Sequence, residues 1–439
     1  MNDRRTTCCI AGGGPAGIML GYLLARNGVP VIVLEKHKDF FRDFRGDTVH
    51  PSTLQVMHEL GLLDELLHVH HQRVTSVSGN FGGVPLEMAN LKHVNTRCRF
   101  VALMPQWDFL NFLASKAKRY PQFELKMEHE AIDLIRQGPR ISGVVMRTPE
   151  GIKEIQADLV VGCDGRHSSI RRAAGFQVQE TGVPIDVLWF RLSRSSDDPA
   201  HQVLGNVNYG RALILIDRGD YYQAGLIIPK GSFQQIQQQG LEGFHALITK
   251  IVPFLGDRTG ELSSWDQVKL LTVQINHLPS WHRPGLLCIG DAAHAMSPAF
   301  GVGINLAIQD AVATANILSP ALNYREVDDA LLARVQQRRE FPTRLTQMLQ
   351  VFVHKGLETI FRNLGPMRPP LPLRIAVRVP GFQHLVGRVV GIGVRPEHVQ
   401  LPATRLRRAP RPDLATKLAA LCAGFAVAAS VALIGFRRS

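Results

Sequence analysis

The hydrophobic pattern at the start of the chain predicts a strand, a helix and a second strand. Residues 8–11 are an apolar run, a glycine-rich turn follows, and apolar positions then recur at helical spacing up to Gly28. Pro15 near the start of that helix and Gly28 just past its end are the usual punctuation of an α-helix. A second apolar run ends at Glu35. The pattern therefore predicts a parallel βαβ unit.

Further along, stretches that favour strands alternate with stretches that favour helices. Residues 74–104 look extended with glycine turns, and 183–230 hold alternating runs typical of an antiparallel sheet. Buried strands are predicted before Asp164 and at 286–289, and helices at 110–119, 304–318 and 326–363. The order predicts an α/β fold in which two domains interleave along the chain.

The first motif is Gly12-x-Gly14-x-x-Gly17, which lies between the first strand and the first helix. Glycines allow the backbone to approach a pyrophosphate, and the helix N-terminus offers unpaired N–H groups to it. An acidic residue at the end of the second strand suits a ribose hydroxyl pair. The alternative is a glycine-rich turn in an ordinary α/β unit. The predicted dinucleotide contacts are Gly12, Gly13, Gly14, Pro15, Ala16, Gly17, Glu35 and Lys36.

The second motif is Asp164-Gly165-x-x-Ser168-x-x-Arg171, directly after a predicted buried strand. Ser168 is a candidate N-cap for a short helix. From the residues alone, a strand–turn–helix without a ligand is an equally good interpretation.

The third motif starts at Gly290-Asp291, where another buried strand ends. Asp291 can accept hydrogen bonds from a polyol, and the small residues around it let a ligand lie close. The helix that follows directs its N-terminus back to this turn, where it favours negative charge such as that of a reduced flavin. The alternative is a simple packing turn. The predicted contacts are Gly290, Asp291, Pro298, Gly301, Val302, Gly303, Ile304 and Asn305.

Together the three motifs, over about residues 5–400, resemble the class A flavoprotein aromatic hydroxylases, the para-hydroxybenzoate hydroxylase and ubiquinone hydroxylase-like group. The resemblance implies that Arg45 and Gln106 contact FAD, and that the second motif, with Asp164, serves both FAD and NAD(P)H binding. Where this family usually has Gln before the second glycine of the third motif, the chain has Val302.

The resemblance and the pattern give predicted domain boundaries. A Rossmann-like FAD-binding domain comprises residues 1–73, 105–180 and 284–320, and a mostly antiparallel substrate-binding sheet domain comprises 74–104 and 181–283. A helical region is expected at 321–400, a basic Pro/Arg linker at 401–417 and a transmembrane helix at 418–436.

The family's chemistry implies FAD as the cofactor, NADPH or NADH as a transient reductant and O₂ as co-substrate. It implies hydroxylation of an aromatic or unsaturated, possibly lipophilic, small molecule through a C4a-hydroperoxyflavin. No side chain has to act as a nucleophile, so only His294 and Phe300 are weak catalytic candidates, and no metal is expected. The alternatives are an FAD-dependent dehydrogenase, reductase or oxidase, and a catalytically silent flavin-binding scaffold at the membrane.

Composition excludes several other classes. The chain has 439 residues and a formal net charge of +13, but no basic–aromatic cluster that would indicate nucleic-acid binding. Its six cysteines are scattered without a C-x-x-C pair, which favours buried thiols in a reducing compartment over disulfides or a zinc site. The N-terminus has no signal-peptide pattern. We therefore expect a cytoplasmic catalytic domain, whose oligomeric state the sequence leaves open.

The C-terminal segment carries a separate signal. Residues 418–436 contain no charge, and Lys417 and the pair Arg437-Arg438 flank them. A run of that length is long enough to cross the hydrocarbon core of a bilayer. Its Pro/Arg-rich linker favours the cytoplasmic face. We expect a C-terminal membrane anchor; the alternative is a helix docked on the protein body or on a partner.

Overall fold

The computed structural model describes residues 4–41, 48–198, 203–363 and 365–400. Arg45, the linker at 401–417 and the predicted membrane helix at 418–436 lie outside these residues. Within the described parts of the chain, no helix combines the length and apolarity needed to cross a membrane.

The described strands, in chain order, are β1 (Arg4–Ala11), β2 (Val31–Glu35), β3 (Thr48–Val49), β4 (Gln72–Val74), β5 (Ser76–Phe81), β6 (Val84–Asn90), β7 (Val101–Leu103), β8 (Phe123–Met127), β9 (Glu130–Gln137), β10 (Arg140–Thr148), β11 (Gly151–Gly162), β12 (Gln179–Thr181), β13 (Ile185–Ser193), β14 (Val203–Asn208), β15 (Arg211–Asp217), β16 (Tyr221–Pro229), β17 (Lys269–Thr272), β18 (Ile275–His277), β19 (His282–Arg283) and β20 (Leu286–Cys288).

The described α-helices are α1 (Pro15–Arg26), α2 (Pro51–Glu59), α3 (Leu63–Leu66), α4 (Gln106–Ala117), α5 (Ser169–Ala173), α6 (Phe233–Gln238), α7 (Gly240–Ile251), α8 (Gly303–Tyr324), α9 (Asp329–Phe361), α10 (Leu371–Ala376) and α11 (Phe382–Gly391). Short 3₁₀ turns include Gly290–Ala292 and Ala299–Gly301.

The larger sheet has a parallel centre. Strands β20, β11, β1, β2 and β8 lie side by side in that order and pair in parallel. The first half of β11 also pairs antiparallel with β10, which continues to β9. Helices α1 and α8 pack on one face in the main apolar core. The predicted α/β fold is confirmed as a parallel sheet with helices packed on it. The carboxyl ends of β20, β11, β1 and β2 meet at one edge, where ligands bind in open α/β sheets.

The second sheet has seven strands in the order β17-β13-β16-β15-β14-β5-β6. Its neighbours pair antiparallel except for β14 and β5, so the prediction of a mostly antiparallel sheet is confirmed. These strands come from the two segments assigned to the substrate-binding domain, whereas β19 pairs with the larger sheet. Smaller sheets join β3, β7 and β4, and β12 and β18. The domain boundaries themselves stay a prediction.

The predicted helices exist, but their ends differ from those that the hydrophobic pattern indicated. Helix α4 begins at Gln106 instead of 110, and α8 continues to Tyr324 through Pro320. Helix α9 runs through Pro342 to Phe361. Packing against neighbouring elements extends α4 at its start and α8 at its end, whereas α9 lies within the predicted bounds of 326–363.

Candidate functional site

The first turn, residues 12–17, is packed so tightly that two of its positions require glycine. Gly12 has a φ of +104°, and a Cβ atom there would lie 2.4 Å from the carbonyl oxygen of Cys163. A Cβ at Gly17 would lie 1.9 Å from the carbonyl oxygen of Gly12. The missing side chains let α1 begin directly against β1 and β11, which fixes the direction of its N-terminus.

Glu35 is fastened to the first turn. Its Oε2 accepts a hydrogen bond from the backbone N–H of Gly13 at 3.0 Å, and its Oε1 accepts one from His37 N–H at 3.0 Å. The residue is buried at the carboxyl end of β2. These hydrogen bonds fix the carboxylate at the strand end beside the first turn.

The N-terminus of α1 presents open backbone donors. Gly14 is its N-cap without a side-chain cap, and the first turn of α1 carries no acidic residue. No described atom lies within 4 Å of a Cβ built at Gly14. Since the first N–H groups of a helix lack partners within it, this position fits a pyrophosphate by both space and charge.

Asp164 follows β11 directly beside the first turn. Its Oδ2 accepts a hydrogen bond from Ile170 N–H at 3.1 Å, while its Oδ1 is buried and has no hydrogen-bond partner among the described residues. Burial raises the pKa of Asp164, although hydrogen bonds from Ser168 and Ile170 oppose the rise. An unsatisfied buried oxygen at this edge is a second feature that fits a bound polyol or nucleotide.

Arg171 connects the second motif to the third. Ser168 caps α5 as predicted, since its side chain accepts from Arg171 N–H at 2.9 Å. The buried guanidinium donates to the carbonyl oxygens of Ala292 at 3.0 Å and Arg166 at 2.6 Å. Arg171 was part of the second motif without a predicted role; in the structure its side chain links the turn of the second motif to that of the third.

The second turn, residues 290–305, meets the first turn. A Cβ at Gly290 would lie 3.2 Å from the Cβ of Ala16 in α1 and 3.4 Å from that of Ala307 in α8. Asp291 projects outward with 31% of its side chain exposed, and its carboxylate lies 3.5 Å from Arg166. The three motifs that are distant in sequence therefore lie together at the carboxyl edge of the large sheet.

The loop before α8 has an unusual backbone. Phe300 has a φ of +66°, which is costly for an aromatic residue, and Gly301 has a φ of +63°. A Cβ at Gly301 would lie 2.2 Å from Thr48 Oγ1, which donates to the carbonyl oxygen of Gly301 at 2.8 Å. Val302 precedes α8 without a side-chain cap, so the helix N-terminus remains open to an anion.

Asn305 holds this loop in place. Its Oδ1 accepts from His50 N–H at 2.9 Å and Thr53 Oγ1 at 2.7 Å. Its Nδ2 donates to the carbonyl oxygens of Thr48 at 3.1 Å and Gly301 at 3.2 Å. Asn305 was predicted as a cofactor contact, which stays a prediction; its side chain is engaged by groups of the protein.

A buried ionic network that the sequence analysis missed lies behind Gly290. Asp310 of α8 accepts hydrogen bonds from Gly290 N–H at 3.0 Å, His294 Nε2 at 2.5 Å and Arg339 Nε at 2.9 Å. Arg339 Nη1 also donates a hydrogen bond to Glu397 Oε1 at 3.2 Å. Burial alone would raise the pKa of Asp310, but His294 and Arg339 outweigh it, so that pKa lies below its ordinary range.

The network explains where His294 points. The residue is 1% exposed and its ring lies against Trp281 with centroids 4.8 Å apart. Facing Asp310 instead of the open side of the turn, His294 positions the turn; this geometry favours a structural role over proton transfer to a substrate.

Helix α9 supplies a second set of unexpected contacts. Gln350 accepts from Ser297 N–H at 3.1 Å and donates to the carbonyl oxygens of Ser297 at 3.0 Å and Ala299 at 2.9 Å. His354 Nε2 lies 2.9 Å from Ser297 Oγ, and burial lowers the pKa of His354 to about 4. These contacts could have been anticipated from the spacing of polar residues in the sequence. The buried polar residues of α9 recur every three or four positions and so share one face of the helix, namely Arg339, Thr343, Gln347, Gln350 and His354.

His50 supports the loop from the opposite side. Its ring is buried, Nδ1 lies 2.8 Å from the carbonyl oxygen of Val390, and the carbonyl of Phe300 is a further hydrogen-bond partner. Burial lowers the pKa of His50 to about 4, against the opposing effect of these two carbonyls. The ring is therefore neutral near pH 7.

A cavity of about 150 Å³ adjoins the loop, between α8, α9 and α11. Phe300, which is 41% exposed, forms part of its wall. The lining is mainly apolar, and none of the lining residues carries a charge. Representative members are Val302, Leu306, Leu349, Phe352, Val386 and Val390.

The remaining predicted contacts are distributed around this edge. Lys36 is exposed beyond Glu35, Gln106 is the first residue of α4, and Ile304 is buried in the first turn of α8. Pro298 begins the 3₁₀ turn that contains Phe300. The five described cysteines are buried and free, as expected.

This chain is similar in sequence and in fold to known proteins. A family model described as "FAD binding domain" matches residues 5–348. The 6-methylpretetramide 4-monooxygenase of Streptomyces rimosus is 29% identical over 398 residues, which cover 88% of this chain and 92% of that protein. The dialkyldecalin synthase of Streptomyces rugosporus is 25% identical over 70% of this chain and 63% of its own length.

Among solved structures, P. aeruginosa PqsL in complex with 2-aminobenzoylacetate superimposes with a TM-score of 0.71. The match is 22% identical in sequence and covers 82% of this chain and 99% of PqsL, so it establishes a shared fold. The family match covers most of the chain and includes all three motifs. The chain belongs to the FAD binding domain family and is a flavin-dependent oxidoreductase related to monooxygenases.

Proposed function

We propose that this flavoprotein is an NAD(P)H-driven monooxygenase that hydroxylates an uncharged aromatic or unsaturated small molecule. The observation that carries the proposal is an apolar cavity beside the loop at residues 298–303, which leads directly into the uncapped N-terminus of α8. Bound FAD supplies the redox chemistry, taking electrons from NAD(P)H and delivering them to O₂. The protein would bind the cofactor and the substrate, orient them relative to each other and exclude water from the site.

The FAD contacts that we propose are the residues predicted from the sequence, and the role that we propose for each follows from its local geometry. The N–H groups of α1 after Gly14 would bind the pyrophosphate, and Glu35 a ribose. Asp291 and Asp164 would accept hydrogen bonds from hydroxyl groups of the cofactor. The N-terminus of α8 would stabilise negative charge on the reduced ring. Arg45, Lys36 and Gln106 complete the proposed set on the resemblance alone.

The cavity defines the proposed substrate class. A mainly apolar cavity of this size accommodates one aromatic ring, so a larger substrate would insert one end beside Phe300. Since no charged residue lines the cavity, a free carboxylate would lose its hydration there without a counterion. The relative that acts as a 6-methylpretetramide monooxygenase supports a polycyclic, aromatic substrate.

Isotope labelling tests the reaction type. The purified enzyme would be reduced with NAD(P)H without oxygen and then exposed to ¹⁸O₂ with candidate phenols and polyketides. A monooxygenase places one labelled atom in the product and the other in water. Hydrogen peroxide with an unchanged candidate would indicate an oxidase, and electron transfer to a quinone would indicate a dehydrogenase; either result overturns the proposal.

Occupancy of the flavin site is tested separately. Asp291→Ala removes the outward carboxylate of the second turn, and we expect a lower FAD content in the purified protein. Asp133→Ala, on exposed β9, is the matched control and should keep the parental content. Equal FAD content in both variants would contradict the role of Asp291.

We also propose that residues 418–436 anchor the chain in a membrane, with the catalytic part on the cytoplasmic side. The support is the uncharged run and its basic flanks. If the full-length protein stays in solution without detergent and does not sediment with membranes, the anchor proposal fails.

A further inference from the structure

The segment at residues 371–379 exposes an apolar stripe. Leu371, Ile375 and Val379 are 64%, 53% and 52% exposed. Backbone hydrogen bonds continue past α10, from Arg378 N–H to Ile375 and from Val379 N–H to Ala376. Leu371 and Ile375, four positions apart in α10, therefore share one face of the helix, and Val379 is exposed in the turn that follows it.

The opposite side of the same segment packs on the protein. Leu373 contacts the apolar cluster around Phe81 and Met367. The stripe is thus held outward by a packed inner face and is not a frayed end. Contiguous exposed aliphatic side chains on such a support mark an interaction surface.

The surroundings of the stripe are strongly basic. Between residues 355 and 391 the acidic residue is Glu358, whereas the exposed cations are Lys355, Arg362, Arg368, Arg374, Arg378 and Arg388. Within the described part of the chain none of these cations forms an ion pair. An apolar stripe flanked by unpaired arginines is complementary to a surface with anionic headgroups above acyl chains.

We propose that residues 371–379, with Arg374, Arg378 and Arg388, form a docking surface for an anionic phospholipid bilayer. The aliphatic stripe inserts at the headgroup boundary and the arginines contact the phosphates. Helix α11, which follows the segment, contributes Val386, Val389 and Val390 to the apolar cavity. The docking surface does not depend on residues 418–436.

Local fluorescence separates this surface from any other attachment point. Full-length FAD-loaded Ile375→Trp would be mixed with phosphatidylcholine vesicles, with and without phosphatidylserine, that carry brominated acyl chains. We expect extra quenching of the introduced tryptophan only when phosphatidylserine is present. The matched control is Ile152→Trp, on an exposed residue of β11 whose neighbour Lys153 is paired with Glu150; it should not be quenched beyond the parent.

Two further variants test the two components of the surface. Arg374→Gln with Arg378→Gln should weaken the phosphatidylserine-dependent quenching signal about 30-fold in lipid concentration, since each arginine near an anionic surface contributes about a fivefold factor. Leu371→Ser with Val379→Ser should abolish the quenching. Vesicle binding without quenching at residue 375 would overturn the proposal and locate attachment elsewhere, and so would capture of heparin or RNA without capture of vesicles.

Discussion

The two turns that converge at the flavin site are built in different ways. The first turn, residues 12–17, is determined by absent side chains, because Gly12 and Gly17 leave no room for a Cβ. The second turn, residues 290–305, is held by side chains that come from far along the chain, Asp310, Gln350 and His354 among them. The glycines of the first turn are adjacent in sequence and visible as a motif, although the backbone that excludes a Cβ at Gly12 belongs to Cys163. The polar groups that hold the second turn come from helices later in the chain and form no local motif.

The difference also concerns what can perturb each turn. The first turn rests on backbone contacts with no titrating support other than Glu35 among its described hydrogen bonds. The second rests on buried histidines and on one carboxylate shared by three donors. Packing defects should therefore damage the first turn most, and changes of charge or pH the second.

The largest effect is expected at Gly17. Gly17→Val places a branched side chain where even a Cβ would lie 1.9 Å from Gly12 O. We expect a loss of more than about 5 kcal/mol in unfolding free energy, comparable to the stability of a whole domain. The measurement is the yield and urea midpoint of the variant. Gly14→Ala, in open space, is the control; if both fold equally well, the steric account of the first turn is wrong.

The second largest effect tests the ionic network. Asp310→Asn keeps the shape but removes one of the two carboxylates that pair with the buried guanidinium of Arg339, leaving Glu397, which should cost about 3 kcal/mol. Arg344→Gln removes an exposed ion pair from the same helix α9 and should cost less than about 1 kcal/mol. Both are measured by urea unfolding. Similar costs would show that the network does not support the second turn.

Acid should loosen the second turn before the first. The pKa values of His50 and His354 are lowered to about 4 by burial, so the unfolded chain binds more protons than the folded one between about pH 6.5 and 4. Their contribution is complete above pH 6.5 and is lost as the pH falls towards 4, by about 2–4 kcal/mol for the pair at pH 5.

Hydrogen exchange at pH 7 and pH 5 locates that loss. Amides of 297–303 should lose protection at pH 5 while those of 10–17 keep theirs. His50→Asn with His354→Asn should flatten the pH dependence. An unchanged slope in this variant would assign the acid sensitivity to other groups.

The smallest effect concerns a single polar contact. Gln350→Ala leaves Ser297 N–H and two carbonyl oxygens without partners, which should cost about 2 kcal/mol. Because the loss is local, we expect weaker FAD binding at unchanged occupancy of the folded state, measured by fluorescence titration. Gln237→Ala, on α6, is the control. Equal FAD affinity in both variants would remove α9 from the support of the flavin loop.

Much of the fold could be predicted from the hydrophobic periodicity of the sequence, because each strand or helix has its own local pattern of apolar residues. The βαβ unit, the antiparallel runs at 183–230 and the helix before 318 were all predictable. The helix ends were not, because Gln106 and Tyr324 extend their helices through packing against neighbouring elements and not through their own pattern.

The sequence by itself determined the three motifs, since each depends on residues that lie next to one another. Only the tertiary structure decided what surrounds them. It turned His294 and Asn305 inward as supports and gave Arg171 a partner at Ala292. It also assembled a polar stripe on α9 behind the second turn. A buried charge or amide is stable only where partners from elsewhere in the chain satisfy it, and the position of those partners is a property of the fold.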